Sequence, residues 1–321
     1  MVSRGEFAAQ HGWGDAQWAA LAGDASTRRY DRLTGRRGSA LLMQAPTDGQ
    51  TPTVTADFVT VDEMLLNLGL SAPRILAAAP EQGLVLLEDF GDDTYTALLD
   101  GGAGAAPLYL LAVDTLIHLH RNFDAATAFP RLPEFDGDRF LDQTMLFCET
   151  CLPEGGEGDV AAGFRQAWAR PLEQATAVPR SLLLRDFHAG NLFHLPERTG
   201  VRACGLIDFQ DAGIGPVTYD LISLLQDARR AVAAPVTEAC LRAYGDAFPE
   251  LDKLAFERSC AIMAAQRHVR VIAIFTRLAE KGKPGYLSHL PRLWQLLAVA
   301  LAHPALVDVA AWFEAHTAMG R

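Results

Sequence analysis

At 321 residues, half of them hydrophobic, the chain is long enough for two domains or one large core. Its 28 Lys and Arg against 39 Asp and Glu leave a net charge of −11, which argues against nucleic acid or an anionic membrane as a partner, because either demands a basic face. No run approaches the roughly 20 uninterrupted apolar residues of a membrane span, MVSRGEF and AAQHGW lack the apolar stretch of a signal peptide, and the five cysteines are odd in number and scattered, so a reduced cytoplasmic protein is expected.

In chain order, the first part reads as short strands and turns. Residues 17–22 and 27–33 flank a GDAS turn at 23–26, and 39–44 form a third β-like run that Pro46 stops. Residues 54–68 carry Phe58, Val61, Leu65 and Leu68 at helical spacing, with Gly69 as terminator. Two more short strands are expected at 75–78 and 84–87. After Glu88, Asp89 and Phe90 the pattern turns helical, over 108–120, 140–151, 161–176, 219–234, 239–248, 256–280, 286–301 and 306–315, interrupted by a hairpin near 182–207. The expected class is α+β in a bilobal protein-kinase-like order: a small antiparallel sheet with one helix as N-lobe (1–88), and a larger, mainly helical C-lobe (89–321). Residues 87–91 are the candidate hinge, where a purine would lie against the backbone near Glu88 and Phe90.

The chemistry concentrates in LRDFHAGN (184–191) and LIDF (206–209). Asp186 and Asn191 keep the D-x-x-x-x-N spacing of a kinase catalytic loop, and Asp208 follows a hairpin where a second metal-binding acid would stand. Phosphoryl transfer from ATP needs a carboxylate to take the acceptor's proton and Mg²⁺ to neutralise phosphate oxygens, and Mg²⁺ accepts one carboxylate and one amide oxygen as protein ligands. Asp186 is therefore the candidate base, with Asn191 and Asp208 the candidate ligands. An ordinary surface turn uses the same residue types, but a second acid at the end of a β-like run is not needed for a turn. The GDAS turn, through Ser26 and its backbone, would sit over the nucleotide phosphates, or be no more than a hairpin turn. On the strand that follows, period-2 alternation turns Arg28 and Arg32 to one face and Arg29 to the other. One face would meet phosphate or the helical Glu63, with Arg29 toward the acceptor; the alternative is a charged, solvated strand edge. His188, Gln210 and Asp211 flank the proposed metal and acceptor sites, and Asp89 is a candidate for ribose or acceptor. Cys148 and Cys151 form a lone C-x-x-C whose default role is helix packing.

The segments GDASTRRYDRL, LLEDFGDDTY, LRDFHAGNLF, GLIDFQDAGIGPVTYDLISLL and QRHVRVIAIFTRLAEKGKPGYLSHLPR together resemble the aminoglycoside phosphotransferase-like kinases, and among them the anomeric N-acetylmuramate/N-acetylglucosamine 1-kinases of cell-wall recycling. The resemblance implies ATP, Mg²⁺ and transfer to the C1 hydroxyl of a small-molecule amino sugar. It also implies roles for Gln266, Arg267 and Tyr286, with Arg267 either facing a lactyl carboxylate or pairing charge on a helix surface. Asp220 is expected to cap or tether the helix that begins near it. The chain departs from the wider family in having no lysine in the strand Ala40–Met43, Leu184 where many relatives have His, and Gln143, Thr150 and Cys151 where an acid and a Trp-Tyr pair are usual. An arginine among Arg28, Arg29 and Arg32 is expected to supply the missing strand charge. Two other readings stay open: an aminoglycoside or amino-alcohol kinase, and a catalytically silent nucleotide-binding protein.

Overall fold

The computed structural model describes residues 2–21, 28–46, 51–128, 132–152 and 158–317, except the side chains of 51–54 and 127–128. The elements run α1 (Arg4–Ala8), β1 (Gln17–Ala20), β2 (Arg29–Gly35), β3 (Gly38–Gln44), α2 (Thr51–Asn67), β4 (Ile75–Ala79), β5 (Leu84–Glu88), α3 (Tyr95–Asp100), α4 (Ala105–Asn122), α5 (Ala125–Ala128), α6 (Gly137–Cys151) and α7 (Asp159–Ala175). They continue with β6 (Arg180–Leu183), β7 (Leu192–His194), β8 (Cys204–Leu206), β9 (Gly213–Pro216), α8 (Thr218–Leu225), α9 (Ala234–Ala247), α10 (Lys253–Glu280), α11 (Leu290–Leu301) and α12 (Val307–His316).

Two compact units result: Met1–Thr115 with Ala189–Asp211, and Leu116–His188 with Ala212–Arg321. The first therefore extends beyond residue 88 and takes in the later β7–β8 hairpin. Its sheet is antiparallel, in the order β1-β2-β3-β5-β4. Alternation along β2 and β3 buries Leu33, Ala40 and Leu42, which join Phe7, Trp13, Leu84 and Leu86 in a small core. The α1 helix, not foreseen from the sequence, starts with a capping box in which Ser3 and Glu6 satisfy each other's backbone N–H groups. The hairpin is fastened by Leu206 N–H to the Ser71 carbonyl (2.8 Å) and His194 N–H to the Asp93 carbonyl (2.9 Å), so chain from two distant stretches closes one unit.

In the second unit α10 is the central helix, packed by α6, α7, α8 and α11. Its surroundings are aromatic: Phe147, Phe164, Trp168, Trp312 and Phe313 are buried together, with Phe164 and Trp312 rings 4.5 Å apart. Burial of each such ring stabilises the unit by roughly 2–3 kcal/mol. Helix α8 ends at Leu225, correcting the expected helix over 219–234; its wholly buried turns give way to the polar run QDARR before α9 begins. Cys148 and Cys151 are both free, and burial pushes the Cys148 thiol up to about 11 and raises that of Cys151, so neither offers a thiolate for metal or redox chemistry at neutral pH. Among the described residues no single helix is long and apolar enough to cross a membrane.

Candidate active site

In the first unit, β8 ends at Leu206 and the chain enters Asp208 with φ 61. Among the described residues, this and Arg185 (φ 70) are the positive-φ positions occupied by anything but glycine. A left-handed backbone costs a side-chain-bearing residue on the order of 1–3 kcal/mol. Both strained positions fall on the two motifs that the sequence singles out. The turn at Asp208 lets Phe209 stack on Phe58 of α2, with centroids 5.2 Å apart. Asn191 meets the strand end twice: its carbonyl accepts from Ile207 N–H at 3.2 Å, and its Nδ2 lies 3.5 Å from Asp208 Oδ2. Gln210 Nε2 donates to Asp208 Oδ1 at 3.0 Å and leaves its own Oε1 buried without a partner among the described residues. Arg28 Nη1 stands 3.8 Å from Asp208 Oδ1, its side chain only 12% exposed. Tyr30, which the sequence reading passed over, joins this group. Burial raises its phenol, and Arg28 beside it opposes the shift.

The other expected residues of this unit fall as follows. Arg29 is exposed at the start of β2. Arg32 pairs with two acids, its Nε 2.8 Å from Asp89 Oδ2 and its Nη2 2.9 Å from Asp92 Oδ1. Asp89 also accepts from Gly91 N–H at 3.0 Å, which ties its carboxylate into its own turn. Glu88 is held by Arg74 and Arg198; burial alone would raise its carboxyl, but these hydrogen bonds and charges keep it below the usual range. Phe90 packs on Phe193 with centroids 5.7 Å apart and carries the Arg198 guanidinium over its ring. These side chains tie the hinge to the β7–β8 hairpin. Asp211 is exposed near Asp57. Ser26 and the GDAS turn lie outside the described residues.

Glu63 lies on α2. It is exposed, and the acid that α2 turns inward is its neighbour Asp62, which is fully buried with both oxygens lacking a hydrogen-bond partner. Burial, with Glu63 and Glu88 adding repulsion, pushes its carboxyl up to about 7. The sequence held the signal: Asp62 follows Phe58 by four and precedes Leu65 by three, on the apolar stripe, whereas Glu63 does not.

In the second unit, β6 and β9 pair and deliver the loop that carries Arg185, Asp186 and His188. Asp220, in the first turn of α8, accepts from Leu184 N–H at 2.6 Å and Arg185 N–H at 2.9 Å. It fastens the candidate catalytic loop; it does not cap its own helix. Its burial outweighs those bonds and pushes the carboxyl up to about 6. For Asp186 the balance is reversed: burial raises it, but Arg267, Arg270, His188 and Arg185 together hold it below the ordinary carboxylate value. His188 is buried, and desolvation lowers its imidazole although Asp227 and Asp186 oppose this. Arg267 is buried, donates to the Arg185 carbonyl at 3.3 Å and lies over the Tyr219 ring. Gln266 donates to Thr144 Oγ1 at 3.2 Å inside the core. Tyr286 packs in the core, its ring 4.8 Å from Phe275. Arg270, absent from the sequence reading, donates to the Tyr219 hydroxyl at 3.5 Å and is the charge the sequence spacing of Arg267, three residues back on α10, should have recommended.

The Asn191–Asp208 pair tests the fit of a divalent cation. Its donors are hard oxygens, the Asp208 side chain is 42% exposed, and no cluster of three or more His, Cys, Asp or Glu lies among the described residues, so phosphate oxygens and water are left to complete a shell. That donor set suits Mg²⁺.

Comparison with known proteins agrees with this chemistry. The model of the family described as "Phosphotransferase enzyme family" matches residues 17–256. The N-acetylmuramate/N-acetylglucosamine kinase of Caulobacter vibrioides is 34% identical, with 98% of this chain and 95% of that protein covered. The protein of the same name from Pseudomonas aeruginosa is 33% identical over 95% of this chain and 90% of its own. In fold, the chain is similar to ADP-bound aminoglycoside phosphotransferase APH(2'')-Ib (TM-score 0.61, 16% identity, 92% of this chain and 97% of that one). It is likewise similar to choline kinase LicA from Streptococcus pneumoniae (TM-score 0.60, 15% identity, 87% and 94%). With the protein-kinase-like fold, the two strained motifs and the family model in agreement over most of its length, this chain belongs to the phosphotransferase enzyme family.

Proposed function

We propose that this protein transfers the γ-phosphoryl group of ATP to the anomeric hydroxyl of an N-acetylated amino sugar, and that acidic sugars of the N-acetylmuramate type are among its acceptors. One observation carries the choice of acceptor. The carboxylate proposed as base is surrounded by Arg185, Arg267 and Arg270, with Arg229 next to His188. A polycationic aminoglycoside or a choline-like cation would be repelled there, whereas an acceptor bearing a carboxylate is welcomed, in a chain whose net charge is −11. The names of the curated relatives support the same acceptors.

In this reading Asp186 is ionised at neutral pH, orients the acceptor hydroxyl and takes its proton as the bond to phosphorus forms. An anomeric hydroxyl is more acidic than an ordinary alcohol, so a carboxylate held below its usual pKa suffices for a transition state in which proton transfer is partial. Asp220 keeps the loop backbone in place while this happens. Asn191 and Asp208 would hold Mg²⁺, which when bound neutralises the phosphate oxygens. Gln210 fixes the Asp208 carboxylate, and Arg28 supplies the positive charge that other family members take from a strand lysine. The free cysteines and the proposed use of ATP support a cytoplasmic setting for the reaction.

The test is a phosphoryl-transfer assay with MgATP and N-acetylmuramate, N-acetylglucosamine, their 1-O-methyl glycosides, kanamycin and choline. The free sugars should be phosphorylated and the methyl glycosides refused, and Asp186→Asn should lose at least about 100-fold in kcat. Turnover of kanamycin or choline with none of either sugar would overturn the proposal.

A further inference from the structure

We infer that Arg270 reads the carboxylate of an acidic amino sugar and so sets the preference for it over its neutral counterpart. The inference rests on the sugar-kinase reading above and deepens it.

Four arginines contribute to the field around Asp186 and His188; Arg185 and Arg267 are buried and Arg229 is exposed. Arg185 is buried with its guanidinium 4.4 Å from the Phe135 ring centroid. Arg229 lies over Phe275 at 5.3 Å, with its backbone N–H tied to Asp227. Arg267 is buried between the Arg185 carbonyl and the Tyr219 ring. Arg270 is neither fully buried nor seated over an aromatic ring among the described residues. It is half-buried, its Nη1 reaches the Tyr219 hydroxyl at a long 3.5 Å, and no carboxylate lies within ion-pair distance of it among the described residues. A guanidinium offers five N–H groups in a planar fork that matches a carboxylate two bonds at a time. A single long bond to Tyr219 leaves most of that fork uncommitted. Arg270 also stands three residues after Arg267 on α10, on the helix face that sets the charge around the proposed base. N-Acetylmuramate and N-acetylglucosamine differ by a lactyl ether that ends in a carboxylate. An uncommitted cation beside the base is placed to detect that difference, and its desolvated neighbours hold it there.

The experiment compares initial rates with the two sugars for the unaltered chain, Arg270→Gln and Arg270→Lys. A charge-assisted pair lost from a half-buried position corresponds to roughly 10- to 100-fold in affinity. For Arg270→Gln the KM for N-acetylmuramate should therefore rise about 30-fold, while that for N-acetylglucosamine rises by less than about threefold. Arg270→Lys, which keeps the charge but not the fork, should recover part of the preference and carries the test if the Gln variant does not fold. An equal fall in kcat with both sugars would assign Arg270 to the transferred phosphoryl group or to the base, and would overturn the inference; so would an unchanged ratio of kcat/KM in both variants. If the unaltered chain phosphorylates neither sugar, the underlying reading fails with it, and that result is distinct from the other two.

Discussion

Asp62→Asn should make the protein more stable above neutral pH and leave it nearly unchanged in acid. The folded chain keeps the Asp62 carboxyl protonated up to about 7, because the group is buried and its oxygens have no donors. The unfolded chain releases the same proton near the ordinary value of 3.8. A carboxyl raised in the folded state contributes its full stability below the unfolded value and loses it as pH climbs to the folded one. Each pH unit in that window costs about 1.4 kcal/mol, so the whole span sets a ceiling of about 4 kcal/mol and the stretch from pH 5 to 7 about 2–3 kcal/mol. Asparagine is nearly isosteric and carries no titrating proton, so subtracting the two proteins cancels every other group. Urea unfolding of both at pH 5, 6, 7 and 8 should give a stability difference that widens by about 2–3 kcal/mol and levels off above pH 7. Infrared spectroscopy offers an independent reading: the difference spectrum between the natural protein and the variant should hold a protonated-carboxyl band that vanishes near neutrality. Parallel stability curves with no such band would refute the reasoning, since they would mean that the carboxyl is ionised when folded.

Two further outcomes follow from the same geometry. Asp220→Asn puts an amide donor against one of two backbone N–H groups and should cost roughly 1.5–3 kcal/mol of loop support; kcat should fall by at least tenfold while MgATP affinity by calorimetry changes less than about twofold. Arg28→Ala removes the cation 3.8 Å from Asp208 and should weaken MgATP binding about tenfold, read by the same calorimetry, whereas unchanged affinity would end its assignment as the substitute for a strand lysine.

What the sequence disclosed was whatever is encoded over short spans. The strands of the sheet follow from alternation, α2 from the spacing of Phe58, Val61 and Leu65, and the pairing of Asn191 with Asp208 from two motifs on either side of one hairpin. Partners far apart in the chain were out of reach. Nothing near Arg32 announces that Asp89 and Asp92, some 60 residues on, will claim it while Arg28 stands beside Asp208. Tyr286 matched a motif, yet aromatic packing on Phe275 decided its place. The inward acid of α2 was legible in principle, but a carboxylate on an apolar stripe reads as an error of phase until the fold shows it buried. Backbone strain at Arg185 and Asp208 leaves no mark at all in a one-letter code, since neither residue type favours a left-handed conformation the way glycine does.

The first unit is discontinuous, and this has a consequence for biosynthesis. Its sheet is complete once Glu88 has been made, but the hairpin that supplies Asn191 and Asp208 comes only after the 73 residues from Leu116 to His188, all of which belong to the other unit. At ribosomal speeds of about 5–20 residues per second, the 118 residues that follow Glu88 up to Leu206 keep the nascent sheet waiting on the order of 6–24 s for the strands whose N–H groups meet the Ser71 and Asp93 carbonyls. A fragment ending at Thr115 would keep those acceptors and lose their donors. The earliest-made part of this protein is therefore finished only when Asp211 has been made, and neither half can be borrowed as an autonomous module by cutting the chain once.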